Sequence, residues 1–283
     1  ADPSPLLVLL EARILRRCLA DPLEHARVDG VRLLAPQPDQ LDLEPPLVAV
    51  VEQEEHLLAH LGEGGAELGT RREIPNTRDL YAVSRALEDN HIDALLVIGG
   101  YSAYEGIHTM TTERDRYPAF RIPTVCIPAS IDNNLPGSEL SIGADTALNV
   151  IVEAMDKVKE SGIASRRCFV VETMGRDCGY LALMSGIAAG AERIYTNEDG
   201  ISLDDLVNDV HWLRESFAHG RRLFLAVRNE NASHNYTTDF IARLLEEESH
   251  GMYDVRQVVL GHMQQGGSPS PFDRLLANRL TYR

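Results

Sequence analysis

Apolar residues along this chain follow two rhythms. Short apolar runs bounded by glycine or polar clusters read as strands, and apolar residues recurring every three to four positions read as amphipathic helices. From Asn76 onward the two alternate: helix 77–88, strand 94–98, helix 105–112, strand 124–127, helix 142–160, strand 168–172 and helix 180–189. The series continues with strand 193–196, helix 203–217, strand 223–227, helix 236–247, strand 255–260 and a last helix from about Phe272. Before Asn76, 5–10 and 47–51 are short apolar runs, 31–35 is a strand candidate, and 11–19 and 52–61 have helical spacing. Repeated strand–loop–helix units of this size predict an α/β fold with a parallel sheet and right-handed crossovers.

The polar residues that carry chemistry collect after the strands, at 99–102, 130–134, 174–177, 228–231 and 262–265. In a parallel sheet those loops converge on one edge, the edge at which open α/β sheets bind ligands. The stretch 122–137 shows the arrangement best. The run 124–127 reads as a buried strand, stops at Pro128, and opens into a loop carrying Ser130, Asp132, Asn133 and Asn134 that Gly137 closes. As a turn, such a loop caps the next helix. As a site, its one carboxylate among neutral hydrogen-bonding groups suits a base that takes a proton from a hydroxyl.

Composition narrows the partner. The 283 residues are enough for one large or two ordinary α/β domains, and 44% hydrophobic with 25% charged residues is ordinary globular composition. A formal net charge of -16 disfavours nucleic acid and membrane surfaces as partners. Lysine is almost absent, so Arg carries nearly all the positive charge, and its planar fork matches phosphate oxygens. The four cysteines, Cys18, Cys126, Cys168 and Cys178, lack metal-ligand spacing. With no apolar segment of spanning length and no basic-then-apolar opening, the expected compartment is the cytoplasm.

Two local features remain. His56 and His60 lie one helical turn apart, but Glu54 and Glu55 precede the pair rather than falling inside it, so the helix is a solvated face rather than a zinc site. The segment 62–72 places four glycines before Arg71 and Arg72. It reads either as a flexible loop or as backbone that approaches an anion closely, and the Arg pair favours the second.

Three motifs then become recognisable: Ser130-Ile131-Asp132-Asn133-Asn134-Leu135-Pro136-Gly137, the run 172–179 around Met174-Gly175-Arg176, and the run 260–274 beginning Leu260-Gly261-His262-Met263-Gln264-Gln265. Together they resemble the 6-phosphofructokinase family from about Gly62 to the end of the chain. The runs 143–149 and 228–240 are most similar to the C-terminal half of its fused, double-length members.

The resemblance implies two Rossmann-like three-layer α/β/α domains with largely parallel sheets. One, at 1–132, lies on the nucleotide side and looks degenerate. The other, at 133–283, handles the sugar phosphate, with the chain returning to the first domain at its end. It also implies a homo-oligomer, or pairing with a catalytic phosphofructokinase half, in a glycolytic setting. By the same resemblance Asp132 matches the catalytic base for the sugar 1-hydroxyl, Ser130 a hydroxyl beside the transferring phosphoryl group, and Arg176 a group that meets transition-state charge. Met174, Gly175 and Glu230 match sugar contacts. Arg167, Arg256 and His262 match the 6-phosphate site, the first two reaching it from a neighbouring subunit, and Gln265 stands where the family has an arginine. Arg72, with Gly100, Tyr101 and Ser102, matches the nucleotide or effector side. Phosphoryl transfer asks the protein mainly for in-line positioning and positive charge, which this set suits.

The departures are as informative as the matches. Leu10 passes almost directly into Glu11 without the family's glycine-rich phosphate loop. Tyr101 replaces the aspartate that handles magnesium bound to ATP, and a phenol is no hard-cation ligand. Asn134 replaces a second acid near Asp132. Two readings of function follow. One is a 6-phosphofructokinase that binds fructose 6-phosphate or a fructose bisphosphate and is associated with phosphoryl transfer from ATP. The other is a regulatory half or subunit that binds a sugar-phosphate effector without turning over ATP.

Overall fold

The computed structural model of the chain describes residues 79–162 and 164–282, together with the backbone of the pair β1 (Arg32–Leu33) and β2 (Ala49–Val50), which are antiparallel. The readings at 5–19 and 52–61, the strand candidates 31–35 and 47–51 beyond 32–33 and 49–50, and the glycine-rich segment with Arg72 lie outside the described residues. Two compact units divide the chain: 1–129 with 274–283, and 130–273.

In the first unit, α1 (Asp79–Asp89) leads to β3 (Leu95–Gly99), α2 (Tyr101–Thr112), a short 3-10 turn (Pro118–Arg121) and β4 (Thr124–Pro128). The two strands run parallel, with Leu95 opposite Thr124 and Gly99 opposite Pro128. Leu80 and Leu87 of α1, Met110 of α2 and Phe120 form a small core against which Leu95 and Ile107 pack. The helix read at 105–112 begins four residues earlier, because Gly100 turns the chain at once. Its extended backbone caps α2, and its carbonyl accepts the N–H groups of Ala103 and Tyr104. A Cβ on Gly99 would sit 2.7 Å from the Ala103 side chain, so glycine is what lets the helix start this close to the strand.

The expectation that 124–127 is a buried strand needs correction. Ile127 is buried, but Val125 is 54% exposed, and Leu96 and Ile98, on the same face of the neighbouring strand, are also open. Alternate side chains point to opposite faces of a sheet. Among the described residues, α1 and α2 pack on the Leu95 face only.

The second unit is a three-layer α/β/α body. Its elements are α3 (Ala144–Gly162), β5 (Arg167–Thr173), α4 (Tyr180–Ala189), β6 (Arg193–Tyr195), α5 (Leu203–Ala218), β7 (Leu223–Asn229), α6 (Thr238–Glu248), β8 (Asp254–Val259), a 3-10 turn (Gly261–Gln265) and the first turn of α7 (Pro271–Tyr282). The sheet order is β6-β7-β5-β8, every pair parallel. The central strands are apolar on both faces, as a sheet covered by helices on both sides requires. Cys168, Val170, Phe224 and Ala226 meet Leu206, Leu213 and Phe217 of α5 and Ile241 and Leu245 of α6. On the opposite face Phe169, Val171, Leu225 and Val227 meet Ile151 and Met155 of α3 and Leu181 of α4.

Caps set the helix ends. Ser202 and Asp205 form a reciprocal capping box on α5, and the Thr237 hydroxyl caps α6. The start of α3 is held from far along the chain. Asp273, almost fully buried, accepts the N–H of Gly143 at 3.0 Å and of Thr146 at 2.8 Å. Negative charge at that end complements the helix dipole.

Candidate active site

Parallel strands in register deliver their C-terminal ends to one edge. Thr173 of β5 lies opposite Asn229 of β7, and Glu172 lies opposite Val259 of β8. Three segments leave the sheet here: Met174 onward from β5, Glu230 onward from β7, and the 3-10 turn after β8. The loop 130–143 enters α3 beside them.

The segment 174–176 is held by side chains from all these neighbours. Gln264 Oε1 accepts the Met174 N–H at 3.1 Å. Glu230 Oε1 accepts the Gly175 N–H at 3.1 Å, and Asn229 Nδ2 donates to the Gly175 carbonyl at 2.9 Å. Asp132 Oδ1 accepts the Arg176 N–H at 3.1 Å, and Asn134 Nδ2 donates to the Arg176 carbonyl at 2.9 Å. Gly175 has φ +143, and a Cβ there would fall 2.5 Å from both Asn229 Nδ2 and the Cys178 carbonyl, so only glycine fits.

The loop carrying Asp132 is braced in turn. Ser130 Oγ accepts the Asp132 N–H at 3.2 Å, and Asn133 closes the loop by accepting from Ser141 N–H and donating to the Glu139 carbonyl. The Cys178 thiol donates to the Asn133 carbonyl at 3.7 Å. Burial, with the Glu198 and Asp132 carboxylates adding to it, pushes that thiol above its ordinary pKa, so it is not an activated nucleophile.

Glu230 rests on a buried cation. Arg228, 2% exposed, pairs with Glu172 at 2.8 Å and donates to the carbonyls of Glu230, Ser233 and Tyr236. Thr238 also donates its hydroxyl to Glu172. One guanidinium thereby shapes the whole loop between β7 and α6. Its planar fork of five donors suits this, where an ammonium would not.

Of the residues singled out from sequence, the structure brings together Ser130, Asp132, Met174, Gly175, Arg176, Glu230, His262 and Gln265. His262 Nδ1 lies 3.3 Å from Gln265 Oε1, and Gln265 Nε2 lies 4.0 Å from the Met174 sulfur. The Arg176 side chain is 73% exposed, with Asp177 4.0 Å away.

Arg167 and Arg256 are not brought to this edge within the chain. Arg167 opens β5, about 20 Å of strand from Thr173, and donates to the Ser161 carbonyl. Arg256 leaves β8 opposite Phe169 and turns to the Val255 carbonyl and Asp254. Gly100, Tyr101 and Ser102 belong to the first unit, where Tyr101 begins α2 with its side chain 54% exposed.

Sequence patterns missed Gln264, Asn229 and Arg228 as site builders. Their partners are mostly backbone groups of distant loops, which no spacing along the chain reports.

Comparison with known proteins identifies the family. The phosphofructokinase family model matches residues 43–283. The chain is similar to the platelet-type ATP-dependent 6-phosphofructokinase of Rattus norvegicus, at 47% identity over 221 residues, covering 78% of this chain and 28% of that protein. It is also similar to the ATP-dependent 6-phosphofructokinase of Dictyostelium discoideum, at 47% identity over 218 residues, covering 77% of this chain and 26% of that one. Among solved structures, phosphofructokinase from Saccharomyces cerevisiae superposes with a TM-score of 0.78 at 39% identity, covering 82% of this chain and 31% of that chain. A pyrophosphate-dependent phosphofructokinase from Marinobacter aquaeolei shares the fold, with a TM-score of 0.64 at 19% identity over 82% of this chain and 60% of that one. The chain thus spans less than a third of the length of these two ATP-dependent relatives. With motifs, fold and relatives in agreement, the chain belongs to the phosphofructokinase family.

Proposed function

We propose that the unit 130–273 binds a fructose phosphate at the C-terminal edge of its sheet and presents Asp132 to the sugar 1-hydroxyl, as part of a 6-phosphofructokinase. The observation that carries this reading is the segment 174–176, which ties Asp132 and Glu230 to one short backbone stretch beside His262 and Gln265. The relatives' names, ATP-dependent 6-phosphofructokinases, support the reaction class. In this reading Asp132 takes the hydroxyl proton as the sugar oxygen attacks the γ-phosphorus, Ser130 lies beside the transferring group, and Arg176 meets its developing charge. Met174, Gly175 and Glu230 hold the sugar, and His262 and Gln265 receive the 6-phosphate. Arg167 and Arg256, at other levels of the sheet, serve a neighbouring subunit of an oligomer.

Magnesium carried by ATP would need carboxylate or phosphate oxygens. The described residues hold no group of three His, Cys, Asp or Glu placed for a metal, and the first turn of α2 has Tyr101 and no acid. These residues do not fit the ion, so no step is assigned through it. Gly100, Tyr101, Ser102 and Arg72 are assigned to the nucleotide or effector side without a catalytic role.

Calorimetry with fructose 6-phosphate, fructose bisphosphates and magnesium-ATP, alongside a coupled turnover assay, tests the proposal. The expected result is sugar-phosphate binding, and turnover that Asp132→Asn removes. Sugar binding without turnover would leave only the regulatory reading, and no sugar-phosphate binding would sink both.

A further inference from the structure

We propose that Asn134 is a positioning residue for Arg176, and that its amide is what this site requires rather than an eroded acid. The inference deepens the proposed function and rests on it.

Asp132 and Asn134 are two residues apart, and between them they hold both backbone groups of one residue. Asp132 accepts the Arg176 N–H and Asn134 donates to the Arg176 carbonyl, at 3.1 and 2.9 Å. Fixing both groups sets the direction in which the Arg176 side chain leaves the backbone, relative to the Asp132 carboxylate. Only a donor can occupy the second position. An ionised carboxylate at 134 would face the carbonyl oxygen with another oxygen and repel it.

A second observation points the same way. Asn134 Oδ1 is buried and has no hydrogen-bond partner. The side chain is therefore retained for its Nδ2 donor alone, since rotating the amide would set Oδ1 against the Arg176 carbonyl. Asn229 repeats the device one residue earlier, donating to the Gly175 carbonyl. At Gly175 and Arg176 two carboxylates take the N–H groups and two amides take the carbonyls, while the Gln264 amide oxygen takes the Met174 N–H.

The test compares Asn134→Asp with Asn134→Ala in the full chain. A protonated Asp regains an O–H donor, so its defect should depend on pH, whereas a merely structural defect would not. The titratable groups on the segments that meet here are Asp132, Glu139, Arg176, Asp177, Glu230 and His262, with the Cys178 thiol, and wild-type protein at each pH controls for them. Near pH 8 we expect Asn134→Ala to weaken fructose 6-phosphate binding about tenfold, as for one lost hydrogen bond. Asn134→Asp should weaken it further, and should recover toward wild type near pH 5.5, since a half-buried carboxyl beside the Asp132 carboxylate titrates above its usual range. Hydrogen exchange of the amides in 174–178, read without ligand, should follow the same order.

Equal binding and exchange in all three proteins would overturn the proposal, as would an Asn134→Asp defect that does not change with pH. If wild type fails to bind fructose 6-phosphate, the functional reading falls, and the ligand-free exchange data still decide the role of Asn134. Should Asn134→Asp fail to fold, the alanine variant carries the exchange measurement, and unchanged protection in it would sink the idea.

Discussion

The loops that follow the strands are supported differently in the two units. In 130–273 the sheet is four strands wide with helices on both faces, and the segment 174–176 exchanges hydrogen bonds with five side chains on three other segments. In the first unit the turn after β3 hands the chain directly to α2 through Gly100, with no side-chain cap, and on one face of the β3–β4 pair Leu96, Ile98 and Val125 are exposed while Ile127 alone is buried. A loop clamped at each peptide holds its side chains to the tolerance that phosphoryl transfer demands.

The contrast can be broken experimentally, beginning with the largest effect. Asp132→Asn should reduce turnover about 10²–10⁴-fold while fructose 6-phosphate affinity changes little, because the amide oxygen still accepts the Arg176 N–H. A large rise in the dissociation constant would show that Asp132 holds the fold of the edge rather than the proton. Arg228→Met should cost about 3–5 kcal/mol in a denaturant titration, since it strands Glu172 and three loop carbonyls beneath Glu230. A loss below about 1 kcal/mol would mean that water replaces the guanidinium and that the loop is not built on it.

A paired measurement on the two cores comes next. Ile151→Ala, at 0% exposure under β5, should cost about 2–5 kcal/mol, and Ile98→Ala, at 57% exposure on the open face, less than about 1. Equal losses would contradict the difference drawn between the units.

The smallest effect is at the α5 cap. Ser202→Ala should cost about 1 kcal/mol near neutral pH. Hydrogen bonds from the Ser202 hydroxyl and backbone N–H hold the Asp205 carboxyl below its ordinary pKa. Stability from a depressed carboxyl is present above its unfolded pKa, about 4, and is lost as pH falls through the lower folded value. The difference between wild type and Ser202→Ala should therefore shrink in acid. A gap that stays constant down to about pH 3 would remove Asp205 from the cap.

Much of the fold was legible along the chain. Strands 168–172 and 223–227 and helices 180–189 and 203–217 match their observed elements to within two residues at either end, because continuous apolar runs and helical periodicity are local signals. The start of α2 was read four residues late. A glycine cap does not show in periodicity, and Tyr101 to Tyr104 look polar enough to be loop. The burial of 124–127 was overstated for a related reason. An apolar run reports that a strand is apolar, not how many of its faces are covered.

The candidate site divides in the same way. Met174, Gly175, Arg176 and Glu230 follow strands of one parallel sheet, which sends such residues to a common edge. Asp132 follows β4 of the other sheet and joins them through the loop that enters α3. The family's motifs singled out all five. What the chain alone decided is the order of strands and helices and the chemical inventory of the loops between them. Tertiary structure decided which of those groups serve the backbone and which face outward. Asn134, Asn229 and Gln264 hold peptides, and Arg228 braces a loop from beneath. Arg167 and Arg256 leave the sheet away from Glu230's edge. The physical reason is that hydrogen bonds to unpaired peptide groups are satisfied by whichever side chain folding brings near, and Arg176 and Asn134 lie 42 residues apart.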